Sequence, residues 1–153
     1  MTKKISVVCA LLAVSLLSFS LVFAADPPQK VLIGISKIVS HPALDAVEKG
    51  IQDELAAAKI NATYDLQNAN GDIGTAASIA NKFHSEKVTL AVGIATPTSQ
   101  SLVNTLKDTP VVFSAVTDPV KAGLVKSLKK GEKYVTGVSD MTPVKQQDRK
   151  SVV

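Results

Sequence analysis

Three apolar, strand-like runs in this chain each end in a polar residue followed by proline, and a helical pattern starts at once. The junctions are Ser40-His41-Pro42, Thr96-Pro97 and Asp118-Pro119. Proline suits the first turn of a helix, because its φ is already set and the N–H it lacks would have no partner there. In a parallel α/β sheet, all strand-to-helix turns open at one edge. Helix N–H groups and short polar side chains then converge on one crevice. The pattern predicts both a fold class and the place of a small-molecule site.

Hydrophobic spacing fills in the layout. Val31-Leu32-Ile33-Gly34-Ile35 is apolar on both faces, as a central parallel strand is. Residues 43–59 read as a helix, with Leu44, Val47, Ile51, Leu55 and Ala58 on one stripe. Residues 62–67 alternate, which places that strand nearer a sheet edge. Asn68-Ala69-Asn70-Gly71 is a turn and Asp72 an N-cap; Ile73, Ala76, Ala77, Ala80 and Phe83 mark a second helix. Residues 88–95 give a third strand, 99–107 a third helix and 111–116 a fourth strand. A short helix is predicted over 122–129, with Leu124, Val125 and Leu128 inward, and a fifth strand over 134–138. The alternation implies α/β architecture: a doubly wound parallel sheet of about five strands, with right-handed crossovers and helices on both faces. The predicted strand order is 2-1-3-4-5, with its switch point between the first and third strands.

Composition sets limits on this layout. The 153 residues, 46% of them hydrophobic, suffice for one sizeable core, and 4% aromatics without Trp make it aliphatic. Residues 1–24 stand apart. Lys3 and Lys4 open the chain, residues 5–23 are almost wholly apolar, and Val22-Phe23-Ala24 precedes the polar Asp26-Pro27-Pro28. That order reads as a cleavable secretory signal, with an uncleaved anchor as its rival. The only cysteine, Cys9, falls inside it, which leaves no thiol for disulfides, catalysis or metal. Export without disulfides points to a periplasm. Removing Lys3 and Lys4 lowers the formal charge from +4 to +2. Lys129, Lys130 and Lys133 cluster around Glu132, and base-stacking aromatics are missing, so the cluster reads as a solvated turn and not a nucleic-acid site. Residues 25–147 form one domain. Residues 148–153 break the pattern and read as an artefactual tail on the first part of a longer protein.

Thr96-Pro97-Thr98-Ser99-Gln100 is the first candidate for chemistry. With Pro97 as the first helical residue, Thr96 is the N-cap. The N–H groups and hydroxyls of Thr98 and Ser99 then make an anion cradle that fits a carboxylate, or Thr96 merely caps its own helix. Ser36, Ser40 and His41 follow the first strand; Ser40 or His41 caps the next helix, and His41 can also offer a ring nitrogen to a ligand. Asp118, after Thr117, caps the short helix or receives a ligand ammonium group. Asn68 forms a turn or bonds a ligand's polar edge. No metal set accompanies His41 or His84. No Gly-x-Ser-x-Gly elbow, phosphate loop or dinucleotide glycine triplet is present, so no catalytic residues and no cofactor are expected.

These junctions also resemble a known family. Ile38-Val39-Ser40-His41-Pro42-Ala43-Leu44-Asp45 is similar to the opening of substrate-binding proteins of ABC importers, in the group with tryptophan- and tyrosine-type binders. Tyr64-Asp65-Leu66-Gln67-Asn68-Ala69-Asn70-Gly71-Asp72 resembles that group's second-strand turn, and Ala95-Thr96-Pro97-Thr98-Ser99-Gln100 its third-strand junction. Phe113-Ser114-Ala115-Val116-Thr117-Asp118-Pro119 with Ala122-Gly123-Leu124-Val125, then Val135-Thr136-Gly137-Val138-Ser139, resemble the fourth and fifth. The likeness covers residues 31–147. Tyr134 departs from the family's frequent Asn, at a position read as structural. The resemblance implies the N-terminal lobe of a two-lobed periplasmic binding protein, its second lobe missing. It implies capture of an amino acid or similar carboxylate for delivery to an ABC permease. The start of the third helix, with Thr96, Thr98, Ser99 and Gln100, would hold the anionic group. Ser36, His41, Asn68, Thr117 and Asp118 would meet other polar parts. The alternative function is an extracytoplasmic ligand-binding sensor domain of a membrane receptor.

Overall fold

A computed structural model describes residues 31–141. The expected signal, residues 1–24, and the expected tail, residues 148–153, lie outside those residues. The element order is β1 (Val31–Lys37), α1 (Pro42–Ala57), β2 (Ala62–Asn68), α2 (Ile73–Glu86), β3 (Leu90–Ile94), α3 (Thr96–Thr105), β4 (Val111–Val116) and β5 (Val135–Ser139). All neighbouring strands pair in parallel, in the order β2-β1-β3-β4-β5, as the sequence predicts.

Strand alternation sorts the core into two layers. Ile33, Ile35, Val92 and Ile94 point to one face, where Leu44, Val47, Ile51 and Leu55 of α1 pack on them. Roughly 25 cal/mol per Å² of buried apolar surface makes this stripe worth several kcal/mol. The opposite face receives α2 and α3: Ala76, Ile79, Ala80 and Phe83 join Leu102, Leu106, Ala91 and Val111 in one buried cluster. Two strand glycines make that face possible. A Cβ on Gly34 would lie 2.7 Å from the Phe83 ring, and one on Gly93 would lie 2.6 Å from Ser99 Cα. The helices therefore rest directly on the sheet.

The expected helix over 122–129 does not form. Residues 117–134 are a chain of turns instead. Leu124 donates to the Pro119 carbonyl at 2.9 Å, and Gly123 takes φ +71°. Leu124 and Val125 are buried as expected, but Leu128 is 61% exposed. Leu124 and Leu128 thus do not share a face, and the apparent helical spacing is an adjacent buried pair.

Candidate ligand-binding crevice

β1 and β3 are neighbours, yet the helices that follow them leave toward opposite faces of the sheet. A crevice opens between the ends of two such strands. β4 lies on the other side of β3, so the three proline junctions end three adjacent parallel strands. Hydrogen bonds tie neighbouring strand ends together on each side of the β1–β3 crevice. Ala69 and Gly71 donate to the Lys37 and Ile38 carbonyls at 2.9 and 2.7 Å, and Ala95 donates to Ser114 at 2.9 Å. The Ser139 hydroxyl donates to the Thr117 carbonyl at 2.9 Å.

Two alanines on this rim carry backbone strain. Ala115 has φ +53°, beside an irregularity in the β4–β5 pairing. Ala95 has φ 83° and ψ 162°, a region normally left to glycine, at a cost of about 1–3 kcal/mol. The turn at Ala95 corrects the expected cap: Thr96 is already helical, and α3 has no side-chain N-cap. The hydroxyl cradle is corrected as well. Thr98 Oγ1 donates to the Ile94 and Ala95 carbonyls at 2.8 and 3.1 Å. Ser99 Oγ donates to Gly93 and Ala95 at 3.0 and 2.8 Å, and the Ser99 N–H also goes to Ala95. Both side chains are buried because Gly93 lets α3 sit on the strand, where carbonyls are nearer than water. The N–H groups of Thr96 and Thr98 have no acceptor among the described residues. At the positive end of a helix dipole, such groups favour an anion.

The other expected residues divide into two sets. Ser36 is 1% exposed, and its Oγ has no partner among the described residues. It pairs in register with Gly93, the residue beneath the first turn of α3. His41 caps α1, its Nδ1 accepting the Ala43 N–H at 3.3 Å, and keeps Nε2 on an exposed side chain. Asn68 Oδ1 accepts from the Asn70 N–H at 2.8 Å, so its amide NH₂ remains. Thr117 is exposed. Gln100, by contrast, is structural: its Nε2 donates to the Ala122 carbonyl at 2.9 Å. Asp118 closes a turn and not a helix. Its Oδ1 accepts the Lys121 N–H at 3.0 Å, and that bond holds its carboxyl below the usual range.

Lys37 lies outside the residues the sequence singles out, and it organises the rim. Its side chain is 14% exposed. Nζ is 2.6 Å from Asp45 Oδ1 and 3.3 Å from Glu48 Oε2, the latter an ion pair without hydrogen-bond alignment. Asp45 holds the Lys37 ammonium above its ordinary pKa, and Lys37 in turn holds Asp45 below its own. Ser40 Oγ donates to Asp45 Oδ2 at 2.9 Å. The available signal was a lysine ending an apolar strand, with two acids three residues apart on the next helix. A concavity of about 620 Å³ lies elsewhere among the described residues, between Leu106 and Tyr134. Aliphatic side chains, three lysines, Glu132 and Tyr134 line it, and none of the residues at the three proline junctions does.

Known proteins share this arrangement. A curated tyrosine-binding protein of Clostridioides difficile is 45% identical over 119 residues, 75% of this chain and 34% of that protein. A conserved domain protein from Vibrio cholerae superposes with a TM-score of 0.75 at 45% identity, over 79% of this chain and 42% of its own. An ABC domain from Streptococcus pneumoniae, solved in complex with L-Trp, gives 0.72 at 43% identity, over 76% and 41%. The chain thus spans about a third of the curated relative and about two fifths of each solved one. Residues 32–149 match the model of one protein family across most of the chain. With the sheet order, the switch-point crevice and these likenesses in agreement, the chain belongs to the ABC transporter substrate binding proteins.

Proposed function

We propose that this chain forms one wall of a cleft that captures an amino acid with an aromatic side chain, outside the cytoplasm, for an ABC permease. It is a binding wall and not a catalytic one. One observation carries the reading: the N–H groups of Thr96 and Thr98 lack acceptors at the start of α3, beside the unpartnered Ser36 Oγ. A ligand carboxylate satisfies such donors, and removing unpaired buried polar groups is worth about 1–3 kcal/mol each. His41 Nε2, the Asn68 amide and Thr117 supply further polar contacts around the crevice. The aromatic side chain is inferred from the tyrosine and tryptophan in the relatives' names. The exported location rests on the leader-like residues 1–24, and the second wall would come from a lobe beyond residues 25–147.

The test is an amide NMR titration of this chain with L-tryptophan. Half a cleft makes half the contacts, so saturation is expected in the millimolar range, near −4 kcal/mol. The Thr96 and Thr98 amides should move most. Tryptamine, which lacks the carboxylate, should leave them in place. Equal responses to both compounds, or none to either, would remove the carboxylate site.

A further inference from the structure

Between strand β1 and the crevice loop runs a polar relay that the binding reading does not use. Lys37 Nζ holds Asp45 Oδ1 at 2.6 Å, while Asp45 Oδ2 accepts from the Ser40 hydroxyl at 2.9 Å. The Asp45 N–H donates to the His41 carbonyl at 2.9 Å, and His41 Nδ1 accepts from the Ala43 N–H at 3.3 Å. The loop from Ile38 to His41 is thereby gripped at its hydroxyl, its carbonyl and its imidazole by the first turn of α1. That turn is held to the sheet by Leu44, packed on the β1–β3 layer, and by the Lys37 ion pair at its polar side.

We infer that Lys37 is a positioning residue for His41: it locks the rim loop so that the neutral imidazole carries its proton on Nε2 and offers an N–H donor to the crevice. The chemistry follows from the cap. A ring nitrogen that accepts a backbone N–H bears no proton, so the other nitrogen bears it. A donor suits a ligand carboxylate or carbonyl; the other tautomer would present a bare lone pair. Lysine normally keeps its ammonium in water. Here the Lys37 side chain is mostly buried and its ammonium lies between Asp45 and Glu48, two acids for one base. Replacing Lys37 by an apolar residue leaves those acids facing each other uncompensated. The contribution of this donor to ligand capture rests on the proposed binding function; the positioning itself does not.

Four proteins test it: the unaltered chain, Lys37→Arg, Lys37→Met, and the charge-balanced Lys37→Met/Asp45→Asn/Glu48→Gln. Long-range ¹H–¹⁵N spectra at alkaline pH read the His41 tautomer, and hydrogen exchange reads the Asp45 amide. The unaltered chain and Lys37→Arg should show the Nε2–H form and a protected Asp45 amide. Both methionine variants should show mixed tautomers and Asp45 exchange faster by about tenfold or more. L-Tryptophan binding should weaken by a similar factor. Retention of the single tautomer and slow exchange in the charge-balanced variant would overturn the assignment. So would failure of both methionine variants to fold, which would make Lys37 a stability residue. If the unaltered chain binds no tryptophan, the ligand reading falls, and ring and exchange data still decide the role of Lys37.

Discussion

Two helix ends share the crevice rim and are built in opposite ways. α1 begins closed: His41 caps it, Asp45 sits in its first turn, and Lys37 ties that turn to β1. α3 begins open: it has no side-chain cap and no acid in its first turn, and the strained Ala95 leads into it. A helix end that only had to be stable would resemble the first. The hydroxyls of Thr98 and Ser99 turn inward to carbonyls and leave the N–H groups of Thr96 and Thr98 facing the crevice end of the sheet. The difference separates a capped end from an uncapped one, and the uncapped end is the one the proposed carboxylate site requires.

The largest expected effect comes from lifting the open end off its strand. Gly93→Ala puts a Cβ 2.6 Å from Ser99 Cα and Oγ, and backbone cannot yield as a side chain tip can. Urea unfolding should show a loss of about 2–3 kcal/mol. At the closed start of α2, Gly74→Ala meets only Asp72 Oδ1, at 3.2 Å, and should change stability by less than about 1 kcal/mol. Equal losses at the two sites would mean that α3 has no special seat on β3.

How much of this contrast the sequence carries can be traced residue by residue. The apolar stripe of Leu44, Val47, Ile51 and Leu55 and the two-sided β1 are period signals, and both sheet order and layers follow from them. The three proline junctions locate the rim because parallel strands leave it no other place. What stays hidden depends on close approach. Thr98 and Ser99 look like ligand hydroxyls until Gly93 is read as the point where a helix touches a strand. Both residues then lie four positions after carbonyls they can back-bond. Ala95 gives no warning, since alanine has no preference for positive φ. The 122–129 segment misleads because two adjacent buried residues and one exposed leucine imitate a helical stripe.

Ala95 sharpens the comparison from the other side. Ala95→Gly relieves about 1–3 kcal/mol of strain and returns part of it through the freer unfolded chain. The melting temperature should rise by a few degrees, for a gain of about 1 kcal/mol. The N–H groups of Thr96 and Thr98 keep their setting, so L-tryptophan should shift them as before. A glycine variant that is stabilised yet no longer responds would show that the strain itself sets the site. A destabilised variant would show that Ala95 is not strained.

The smallest effect is acid sensitivity, and it separates closed ends from the open one. Asp72 caps α2 by accepting the Thr75 N–H, and that bond holds its carboxyl below the usual range. Lys37 does the same to Asp45 at α1. A carboxyl whose folded pKa is depressed contributes stability above its unfolded pKa, about 3.9, and loses it as pH falls through the folded value. Hydrogen exchange followed downward from about pH 5 should therefore show the first turns of α1 and α2 loosening below about pH 4, with α3 unaffected until global unfolding. Asp72→Asn keeps a capping oxygen but cannot titrate, so it should flatten the response of α2 alone. An α3 start that loosens in step with the other two would mean that its stability depends on an acid after all. The contrast between an end closed by charge and an end kept for a ligand would then fail.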